Sequence, residues 1–564
     1  MSVCGAWRDG DTRSNKRRFA EFQARSYGQR ADPPRVPEGL VLTTVSDAFY
    51  GILRHHGVKA VFGNPGSNEL SFLTGLPDDI PYYLVLQEGA AIAIADGFAQ
   101  ASDSIGFLNL HAASGTGNAM GCLTNTADCH TPMVIMAGQQ ARRYVPIGAM
   151  LTNVDPVKLA DPLVKWSGEP LRPQDGPAPV SKGLMLAGSA PRGVVYLSVP
   201  LDDWTEPAEE NALKHLLERG VDGTPVVPQK ALDTLVRALD GASAPALVLG
   251  PGADTEEGFQ AAVALAEHAR LPVWIAPSPP RSPFPTRHRC YQGQLPSAAG
   301  AIADVLAPYD VVVCIGAPVF RYHAPSADDF LRPGVSVYAV TDDPDEAARA
   351  PFGRISVGDP ADALVRIAAL AAPSERPWPA ERTIAAADTS GPHFTTEAIL
   401  DAVEAGKSDD TVIALEWTSS DLVRDRLTIT RAKSLFYCAA GGLGWGLPAA
   451  IGLRLGDPDR PVVALIGDGA MQYTPAALWT AARYRVPVTF VVCVNTKYRA
   501  LEEFSELLHV PQGEYLDISG LNVLDIARGY GVETHRAESL DDLTEHIRKG
   551  ASATGPRLVE VLQR

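Results

Sequence analysis

The chain lacks several features that would assign it to a specialised class. None of its apolar runs approaches the roughly 18 residues that a membrane-spanning helix needs. Its seven cysteines form no CxxC pair and lie mostly in apolar segments, which favours reduced, buried thiols in a cytoplasmic protein over a disulfide framework. Basic residues are also in deficit, since 49 Lys and Arg face 66 Asp and Glu, giving a net charge of -17. That charge argues against nucleic acid or an anionic membrane as a partner.

The length and the composition of the chain are typical of a large globular protein. The chain has 564 residues, of which 46% are hydrophobic and 20% charged, and this length predicts about three domains. The first forty residues differ, because they are polar, rich in arginine and poor in apolar periodicity. Residues 1–40 are therefore predicted to form a flexible basic arm, although a misassigned start codon would account for them equally well.

From about Val41 onward, short apolar runs such as "AVFGNPG" alternate with helical patterns such as "SDAFYGILRHHGV". This alternation occurs in three blocks, separated by the polar stretches that begin at Trp204 and Pro373. Strands that alternate with helices indicate parallel sheets covered on both faces. The sequence thus predicts an α/β fold of three doubly wound parallel-sheet domains, at 41–205, 225–372 and 392–564, joined by polar linkers.

The segment "RPVVALIGDGA" predicts a buried strand that runs into a glycine-rich turn containing Asp468. A helix from about Thr474 to Tyr484 and a second strand ending at Asn495 should follow. Because strands of a parallel sheet end at one edge, Asp468 and Asn495 should emerge together. Their oxygens suit Mg²⁺, and the glycines let a diphosphate approach the backbone. The pattern predicts a metal–diphosphate clamp, while a simple helix cap at Asp468 remains the alternative.

Two more polar residues follow apolar runs in the first block. Glu88, in "LQEGAAIAIADGFA", should begin an alanine-rich helix, and its ordinary role would be to interact with the helix dipole. His111, in "LNLHAASGTGN", should end a strand before a glycine-rich turn, where a lone histidine is most often structural. Neither residue alone decides between a structural and a chemical role.

Several longer motifs together resemble those of the thiamine-diphosphate-dependent 2-oxoacid decarboxylase and lyase superfamily. They are "FGNPGSNEL", "LQEGAAIAIADGFAQAS", "LHAASGTGNAMG", "APVFRYH", "CAAGGLGWGLPAAIG" and "IGDGAMQYTPAALWTAA". The resemblance runs from about Val41 to the end of the chain. It implies an N-terminal pyrimidine-binding domain, a central domain and a C-terminal diphosphate-binding domain, with thiamine diphosphate and Mg²⁺ as cofactors. It also implies a cofactor held between the first domain of one subunit and the third of another, hence at least a dimer and usually a tetramer.

The resemblance assigns roles to four catalytic candidates. Glu88 matches the glutamate that bonds N1′ of the cofactor's aminopyrimidine, and Ser67 matches a serine that bonds the substrate carboxylate. His111 and His288, the latter in "FPTRHRC", match a pair that relays protons, which suits imidazole because it gains and loses a proton near neutral pH. Without the resemblance, His288 between two arginines would be interpreted as an exposed loop residue.

The remaining candidates form three groups. Cofactor binding is expected of Thr418, Ser419, Leu443, Gly467, Gly469, Ala470, Asn495 and Tyr498, where Leu443 is the bulky residue that keeps the cofactor bent. The metal ligands are expected to be Asp468, Asn495 and the backbone carbonyl of Lys497. An aromatic substrate ring is expected to lie among Met150, Leu151, Tyr437, Ala500 and Phe504, each of which would otherwise be interpreted as a core residue.

The implied reaction is the non-oxidative decarboxylation of an aromatic 2-oxo acid, such as benzoylformate, to an aldehyde and CO₂. The alternative is an acyloin-forming carboligase or C–C lyase that uses the same cofactor-bound intermediate. A non-catalytic binding subunit is disfavoured because Glu88 and Asp468 are both present, and a flavin-containing relative because "GPGAD" lacks the full GxGxxG. The family pattern is weakest at "VNTKYRALEEF", where Lys497, Arg499, Glu502 and Glu503 change the local charge.

Overall fold

The computed structural model describes residues 44–221, 223–391, 393–417 and 420–564. The predicted arm at 1–40 and two predicted cofactor ligands, Thr418 and Ser419, lie outside the described residues. Three six-stranded sheets are found in the described part of the chain, and every pairing between their strands is parallel. Buried apolar runs such as Val311–Ile315 and Val462–Gly467 form the central strands, as expected for sheets covered on both faces.

The first sheet has the strand order β2-β1-β3-β4-β6-β5. Its strands are β1 (Val61–Asn64), β2 (Tyr82–Leu84), β3 (Gly106–Leu110), β4 (Met133–Gln139), β5 (Trp166–Gly168) and β6 (Val194–Pro200). The helices of this domain are α1 (Val45–His55), α2 (Leu70–Thr74), α3 (Glu88–Ser102), α4 (Ala112–Asp128) and α5 (Pro177–Gly188).

The second sheet has the order β12-β11-β10-β7-β8-β9. Its strands are β7 (Pro245–Leu249), β8 (Val273–Ile275), β9 (Tyr291–Gln294), β10 (Val311–Ile315), β11 (Ser336–Thr341) and β12 (Arg354–Val357). Helix α6 (Glu210–Glu218) precedes this domain, whose own helices are α7 (Gln229–Gly241), α8 (Glu256–Ala269), α9 (Ala299–Leu306), α10 (Pro344–Arg349) and α11 (Pro360–Leu370).

The third sheet has the order β14-β13-β15-β16-β18-β17. Its strands are β13 (Val412–Glu416), β14 (Leu435–Tyr437), β15 (Val462–Gly467), β16 (Val488–Val494), β17 (Glu533–Arg536) and β18 (Arg557–Leu562). Its helices are α12 (Thr396–Gly406), α13 (Ser420–Arg426), α14 (Gly446–Gly456), α15 (Asp468–Met471), α16 (Ala477–Arg483), α17 (Arg499–Leu507), α18 (Val523–Gly529) and α19 (Leu540–Gly550).

The three parallel sheets confirm the predicted α/β class. Each sheet falls within one of the three predicted segments, whose end points stay predictions. The first polar linker is not featureless, because it contains helix α6, and the buried Leu213 of this helix packs against the first domain. This stretch stays a predicted linker, and a few apolar residues at helical spacing were enough to form a helix within it against a neighbouring surface.

Helix α3 is buried on nearly every side because it packs against α14 of the third domain. Glycines allow this close approach. A methyl group at Gly452 would collide with the carbonyl oxygen of Ile94, and one at Gly97 would collide with that of Ala449. The first and third domains are thus joined along a seam in which helix backbones nearly touch.

Asp96 adds a polar contact to this seam and is fully buried. Its carboxylate accepts hydrogen bonds from Trp445 Nε1 at 2.7 Å, from Gln100 Nε2 at 2.7 Å and from the hydroxyls of Thr131 and Thr126 at 2.6 and 3.1 Å. Burial raises the pKa of Asp96, whereas these four donors lower it. Four donors thus satisfy the hydrogen-bonding capacity of this buried carboxylate.

Six cysteines lie in the described ranges, and all are free thiols, five of them buried. In the same ranges no helix combines the length and the apolar character needed to cross a bilayer.

Candidate active site

Glu88 is the first residue of α3 and is only 6% exposed. Two amides hold its carboxylate: Asn64 Nδ2, at the end of β1, donates to Oε1 at 3.2 Å, and Asn118 Nδ2, on α4, donates to Oε2 at 3.1 Å. Gly115 leaves room for this arrangement, since a Cβ there would lie 3.2 Å from Oε1. The carboxylate is therefore buried, oriented by neutral donors and free of a cationic partner in these contacts.

His111 follows β3 directly and is fixed by Glu69. Glu69 lies in the motif "FGNPGSNEL", and no role was predicted for it. The Nδ1 atom of His111 lies 2.9 Å from Glu69 Oε2, and Glu69 is only 1% exposed. The backbone N–H groups of Gly66 and Gly138 also donate to this carboxylate, at 2.8 and 3.0 Å. A buried carboxylate with these donors holds the imidazole in one orientation.

The predicted glycine-rich turn after His111 was wrong, because α4 begins at Ala112 and its glycines lie inside the helix. Glycine is a poor helix former, but tertiary contacts override this tendency here. Gly115 borders the Glu88 carboxylate, and the carbonyl oxygen of Gly121 lies near Gly442 of the third domain.

Ser67 lies at the start of the short 3-10 turn Ser67–Glu69 and is exposed. It is separated from Glu69, the partner of His111, by one residue, so Ser67 and His111 occur at the same edge of the first sheet. The intervening Asn68 is buried, and its side-chain amide donates to the carbonyl of Leu151 at 3.4 Å. This contact links the turn to the predicted substrate segment at Met150 and Leu151.

His288 lies in the second domain and has different neighbours. Its Nε2 is 3.3 Å from Glu267 Oε1 on α8, and its Nδ1 accepts from the backbone N–H of Cys290 at 3.2 Å. Its ring also packs edge-on against Phe284. Within the described ranges, no hydrogen bond or ring contact joins His288 to His111, so the predicted relay pair is not assembled by direct contact in one chain.

The predicted clamp residues Asp468 and Asn495 do lie at one sheet edge. Strands β15 and β16 pair in parallel, with Gly467 opposite Cys493. Asp468 directly follows β15, and Asn495 directly follows β16. Asp468 is 3% exposed, and its carboxylate accepts from the N–H groups of Thr496 at 2.8 Å and Gly469 at 2.9 Å. Burial raises the pKa of Asp468, and the N–H donors lower it.

Local structure around the clamp differs in two details from the sequence prediction. Asp468 opens a one-turn helix, α15, in place of a plain turn, and α16 begins at Ala477 rather than about Thr474. Neither difference moves Asp468 or Asn495 from the strand ends.

The unusual "NTKYR" segment neutralises most of its own charge. Lys497 Nζ bonds Glu502 Oε1 at 2.8 Å, and Arg499 donates to the carbonyl of Arg564 at 2.7 Å and lies 3.4 Å from Glu503. The backbone N–H of Lys497 donates to Asn495 Oδ1 at 3.1 Å. The charged side chains that set this segment apart from the family pattern thus pair with one another.

Space for a diphosphate is present beside Gly467, where a Cβ would meet nothing closer than 3.9 Å. On the other side, the ring of Tyr498 packs against Gly469, with its Cε1 2.8 Å from the position of an added Cβ. Ala470 is 7% exposed. An oxygen-rich edge with one open glycine and a buried carboxylate therefore fits a divalent cation and an anionic group.

A second overlooked glutamate, Glu416, anchors the loop that carries Leu443. It is 3% exposed and accepts from the N–H groups of Gly444 at 2.6 Å, Gly446 at 2.7 Å and Trp445 at 3.3 Å. Burial raises the pKa of Glu416 to about 7, although the three N–H groups lower it. Its position at the end of β13, where ligands gather in parallel sheets, was the available sequence signal.

Helix α4 connects this loop to Glu88. Near its middle, Asn118 bonds Glu88, and two turns further on Asn125 donates to the carbonyl of Gly442 at 2.7 Å and accepts from the N–H of Ala440 at 2.9 Å. One rigid element therefore spaces Glu88 from the Leu443 loop.

The predicted substrate residues are divided between domains. Met150, which is 83% exposed, and the half-buried Leu151 belong to the first domain. Tyr437, Ala500 and Phe504 belong to the third. Burial raises the pKa of Tyr437, and the ring of Phe504 lies 4.7 Å from that of His323 in the second domain.

Sequence-family models match most of the chain in three pieces. Residues 43–159 match the N-terminal TPP binding domain of thiamine pyrophosphate enzymes, residues 232–367 their central domain, and residues 424–561 their C-terminal TPP binding domain.

Curated relatives and solved structures extend over nearly the same length. Benzoylformate decarboxylase from Pseudomonas aeruginosa is 46% identical over 523 residues, which cover 92% of this chain and 99% of the relative. Sulfoacetaldehyde acetyltransferase from Rhodobacter capsulatus is 26% identical, with 90% of this chain and 91% of the relative covered.

Among solved structures, the thiamine diphosphate-dependent 4-hydroxybenzoylformate decarboxylase of Rhodococcus jostii superposes with a TM-score of 0.90 at 41% identity, covering 92% of this chain and 99% of its own. Benzoylformate decarboxylase from Polynucleobacter necessarius gives a TM-score of 0.89 at 33% identity, covering 93% and 99%.

Proposed function

The chain belongs to the thiamine pyrophosphate enzymes, within their 2-oxoacid decarboxylase and lyase superfamily, and we propose that it decarboxylates an aromatic 2-oxo acid to an aldehyde and CO₂. Two kinds of observation support the substrate class. The relatives named above include decarboxylases of benzoylformate and of 4-hydroxybenzoylformate. The residues expected around the substrate ring, at Met150, Leu151, Tyr437, Ala500 and Phe504, are apolar or aromatic.

The observation that carries the proposal is the arrangement at Glu88. A carboxylate that is 6% exposed and is held by the amides of Asn64 and Asn118 can exchange a proton with a buried heterocycle in a fixed direction. Thiamine diphosphate, when bound, supplies the carbanion that adds to the oxo group and the electron sink for the loss of CO₂. Glu88 would hold the proton at the pyrimidine nitrogen that activates this group.

The other catalytic candidates act on the substrate. Ser67 would donate a hydrogen bond to the substrate carboxylate at the edge of the first sheet. His111, held by Glu69 at 2.9 Å, would deliver a proton to the reacting carbon after CO₂ leaves. His288 would act as the second proton carrier from the central domain.

We further propose that Mg²⁺ binds Asp468, Asn495 and the carbonyl of Lys497, with a diphosphate beside Gly467. Burial of the Asp468 carboxylate is costly without a counter-charge, and a divalent cation provides one. Leu443, Gly469, Ala470 and Tyr498 would contact the rest of the cofactor. Removal of Mg²⁺ by a chelator should release the cofactor, and added Mg²⁺ or Mn²⁺ should restore binding, which equilibrium dialysis would measure.

We also propose a homo-oligomer, at least a dimer and, by the family resemblance, a tetramer, because the candidate residues are divided between domains. Met150 and Val154 of the first domain are 83% and 81% exposed, and Leu507 and Tyr515 of the third are 50% and 70% exposed. Apolar side chains exposed on two domains support coverage by a second copy of the chain.

The direct test incubates purified protein with thiamine diphosphate, Mg²⁺ and benzoylformate and follows CO₂ and benzaldehyde. Pyruvate and 4-hydroxybenzoylformate complete the comparison of substrates. We expect faster turnover of the aryl acids, and an absence of CO₂ from every aryl 2-oxo acid would refute the proposed reaction.

Glu88→Gln tests the role of the carboxylate. The amide keeps the volume but cannot hold the proton, so kcat should fall by at least about 100-fold while the fold and the melting temperature are kept. Glu257→Gln, at an exposed position on α8, serves as a control for the substitution itself. Full activity of Glu88→Gln would exclude the assigned role.

The carboligase alternative is supported by the match to the large subunit of acetolactate synthase isozyme 3 from Escherichia coli, which is 25% identical over 533 residues, covers 87% of this chain and 90% of the relative, and by its name builds a larger carbon skeleton. It predicts that benzaldehyde and acetaldehyde are converted to a 2-hydroxy ketone faster than benzoylformate loses CO₂. Chiral chromatography of the products from one mixed incubation separates the two reactions.

A further inference from the structure

A cavity of about 1110 Å³ lies between the first and second domains, on the side where β11 ends. Its lining includes His130, just after α4, and Asp343 and Glu346, at the start of α10. None of these three residues belongs to the candidate active site. They come from two domains and converge on one point, since their ligand atoms all lie within 4.8 Å of one another.

The spacing of these atoms does not fit direct hydrogen bonds. His130 Nε2 lies 3.8 Å from Asp343 Oδ2 and 3.7 Å from Glu346 Oε1, which exceeds the usual limit of about 3.2 Å for N–H···O bonds. Two ligands that each lie about 2.1 Å from a common metal ion are separated by roughly 3.4 to 3.6 Å. The observed separations are close to that value.

Each of the three groups is also oriented by a second partner. His130 Nδ1 lies 3.3 Å from the carbonyl of Arg192, Glu346 Oε2 accepts from Thr341 Oγ1 at 2.7 Å, and Asp343 Oδ1 accepts from the N–H of Asp345 at 2.7 Å. A histidine whose Nδ1–H donates to a backbone carbonyl directs the lone pair of Nε2 outward, as metal-binding histidines do. Here that lone pair faces two carboxylate oxygens, and they repel unless a cation lies between them.

The neighbouring basic side chains have other partners. Arg349 bonds Asp345 at 2.9 Å, Arg321 pairs with Asp128, and Lys165 Nζ donates to the carbonyls of Leu186 and Ser189 at 2.6 and 2.9 Å. A further carboxylate, Asp342, adds negative charge next to the cluster, and burial raises its pKa. Arg349, Arg321 and Lys165 thus form no ion pair with the three groups in the described ranges, although their charges act on the carboxylates through space.

We propose that His130, Asp343 and Glu346 bind a divalent first-row transition metal ion, for which Zn²⁺ is the probe, and that this ion ties the first domain to the second. One imidazole and two carboxylates form a ligand set that suits zinc, and the remaining coordination position opens to the cavity. The site is separate from the clamp at Asp468 and does not depend on the proposed reaction.

The rival occupant is a proton. The contact with Glu346 raises the pKa of His130, so an imidazolium would also balance the two carboxylates. Metal binding requires the neutral ring, so the proton and the metal compete, and zinc affinity should fall as the pH is lowered from 8 to 6.

The test uses the full-length protein saturated with thiamine diphosphate and Mg²⁺, equilibrated with Zn²⁺, desalted and analysed for zinc per chain. His130→Gln, Asp343→Asn and Glu346→Gln should each hold one zinc per chain less than the wild type. Glu257→Gln is the matched control, because it removes an exposed carboxylate of the same domain outside the cluster, and it should retain the wild-type amount. Asp468→Asn should also retain it.

Equal zinc in the wild type and the three cluster variants would overturn the proposal and leave the imidazolium as the occupant. Thermal unfolding gives a second measurement, since zinc should raise the melting temperature of the wild type and of Glu257→Gln but not of the cluster variants. Should Asp343→Asn fail to fold, His130→Gln and Glu346→Gln decide the outcome alone.

Discussion

At the scale of single residues, two buried glutamates hold the groups that the sequence marked as functional. Glu69 orients His111, and Glu416 shapes the loop before Trp445. Both act by fixing a neighbour. Their substitution should therefore change rate or loop geometry before it changes overall folding.

Glu69→Gln should lower kcat for decarboxylation by about 10- to 100-fold, because the carboxamide orients the imidazole less firmly for proton transfer. The affinity for thiamine diphosphate, measured by fluorescence quenching, should stay unchanged. Glu257→Gln is the control, since Glu257 occupies an exposed position on α8 outside the candidate site. A loss of cofactor affinity without a loss of kcat would contradict the positioning role of Glu69.

Glu416 gives a prediction about pH. Its pKa rises from the usual 4.5 to about 7 in the folded chain, so between these values the folded state holds a proton that the unfolded chain has released. Its contribution to the free energy of unfolding therefore decreases as the pH rises through this window.

Urea unfolding of the wild type and of Glu416→Gln at pH 5 and pH 8 measures this effect. The variant cannot titrate, so the stability of the wild type relative to the variant should be greater at pH 5 than at pH 8. A difference that does not vary with pH would show that the buried carboxyl stays ionised throughout.

At the scale of elements, the seam between α3 and α14 depends on glycine. Gly452→Ala should destabilise the protein by about 1 to 3 kcal/mol, because the added methyl meets the carbonyl of Ile94 and the helices must separate. Gly51→Ala on α1 is the control, since nothing lies within 4 Å of its added methyl. There the better helix propensity should stabilise by about 0.5 to 1 kcal/mol.

Opposite shifts in the melting temperatures of these two variants would confirm that the space around the added methyl group, rather than helix propensity, decides whether a glycine-to-alanine substitution stabilises or destabilises the protein. A stabilised Gly452→Ala would show that the seam has room to expand.

Elements defined by local periodicity were predictable from the sequence. The strands before Asp468 and Asn495 and the helix that begins at Glu88 occur where the apolar pattern placed them. The apolar pattern failed to predict the structure where contacts between residues far apart in the sequence determine it. Gly115 of α4 leaves space beside the Glu88 carboxylate, and Asp96 meets Trp445 349 residues away. No local window contains such partners, so these roles were not visible in the sequence.

At the scale of the whole molecule, the family resemblance implies that each active site joins the first domain of one copy to the third domain of another. A mixture of two inactive variants tests this, with Glu88→Gln affecting the first domain and Asp468→Asn the third. In a mixed dimer, one of the two sites would combine the intact domains of both chains.

Refolding the two variants together at equal concentration should restore about a quarter of wild-type activity, because half of the dimers are mixed and each has one intact site. Each variant refolded alone is the control. If the site were completed within a single chain, the mixture would be no more active than its components.

The seam between α3 and α14 also sets an order of events during translation. About 340 residues separate the end of α3 from the start of α14, so at ~5 to 20 residues per second the ribosome releases the second helix roughly 20 to 70 s after the first. During this interval the nascent first domain displays the apolar face that α14 later covers. The contact that joins the domains therefore leaves an apolar helix face of the growing chain uncovered until α14, near the start of its last quarter, has been synthesised.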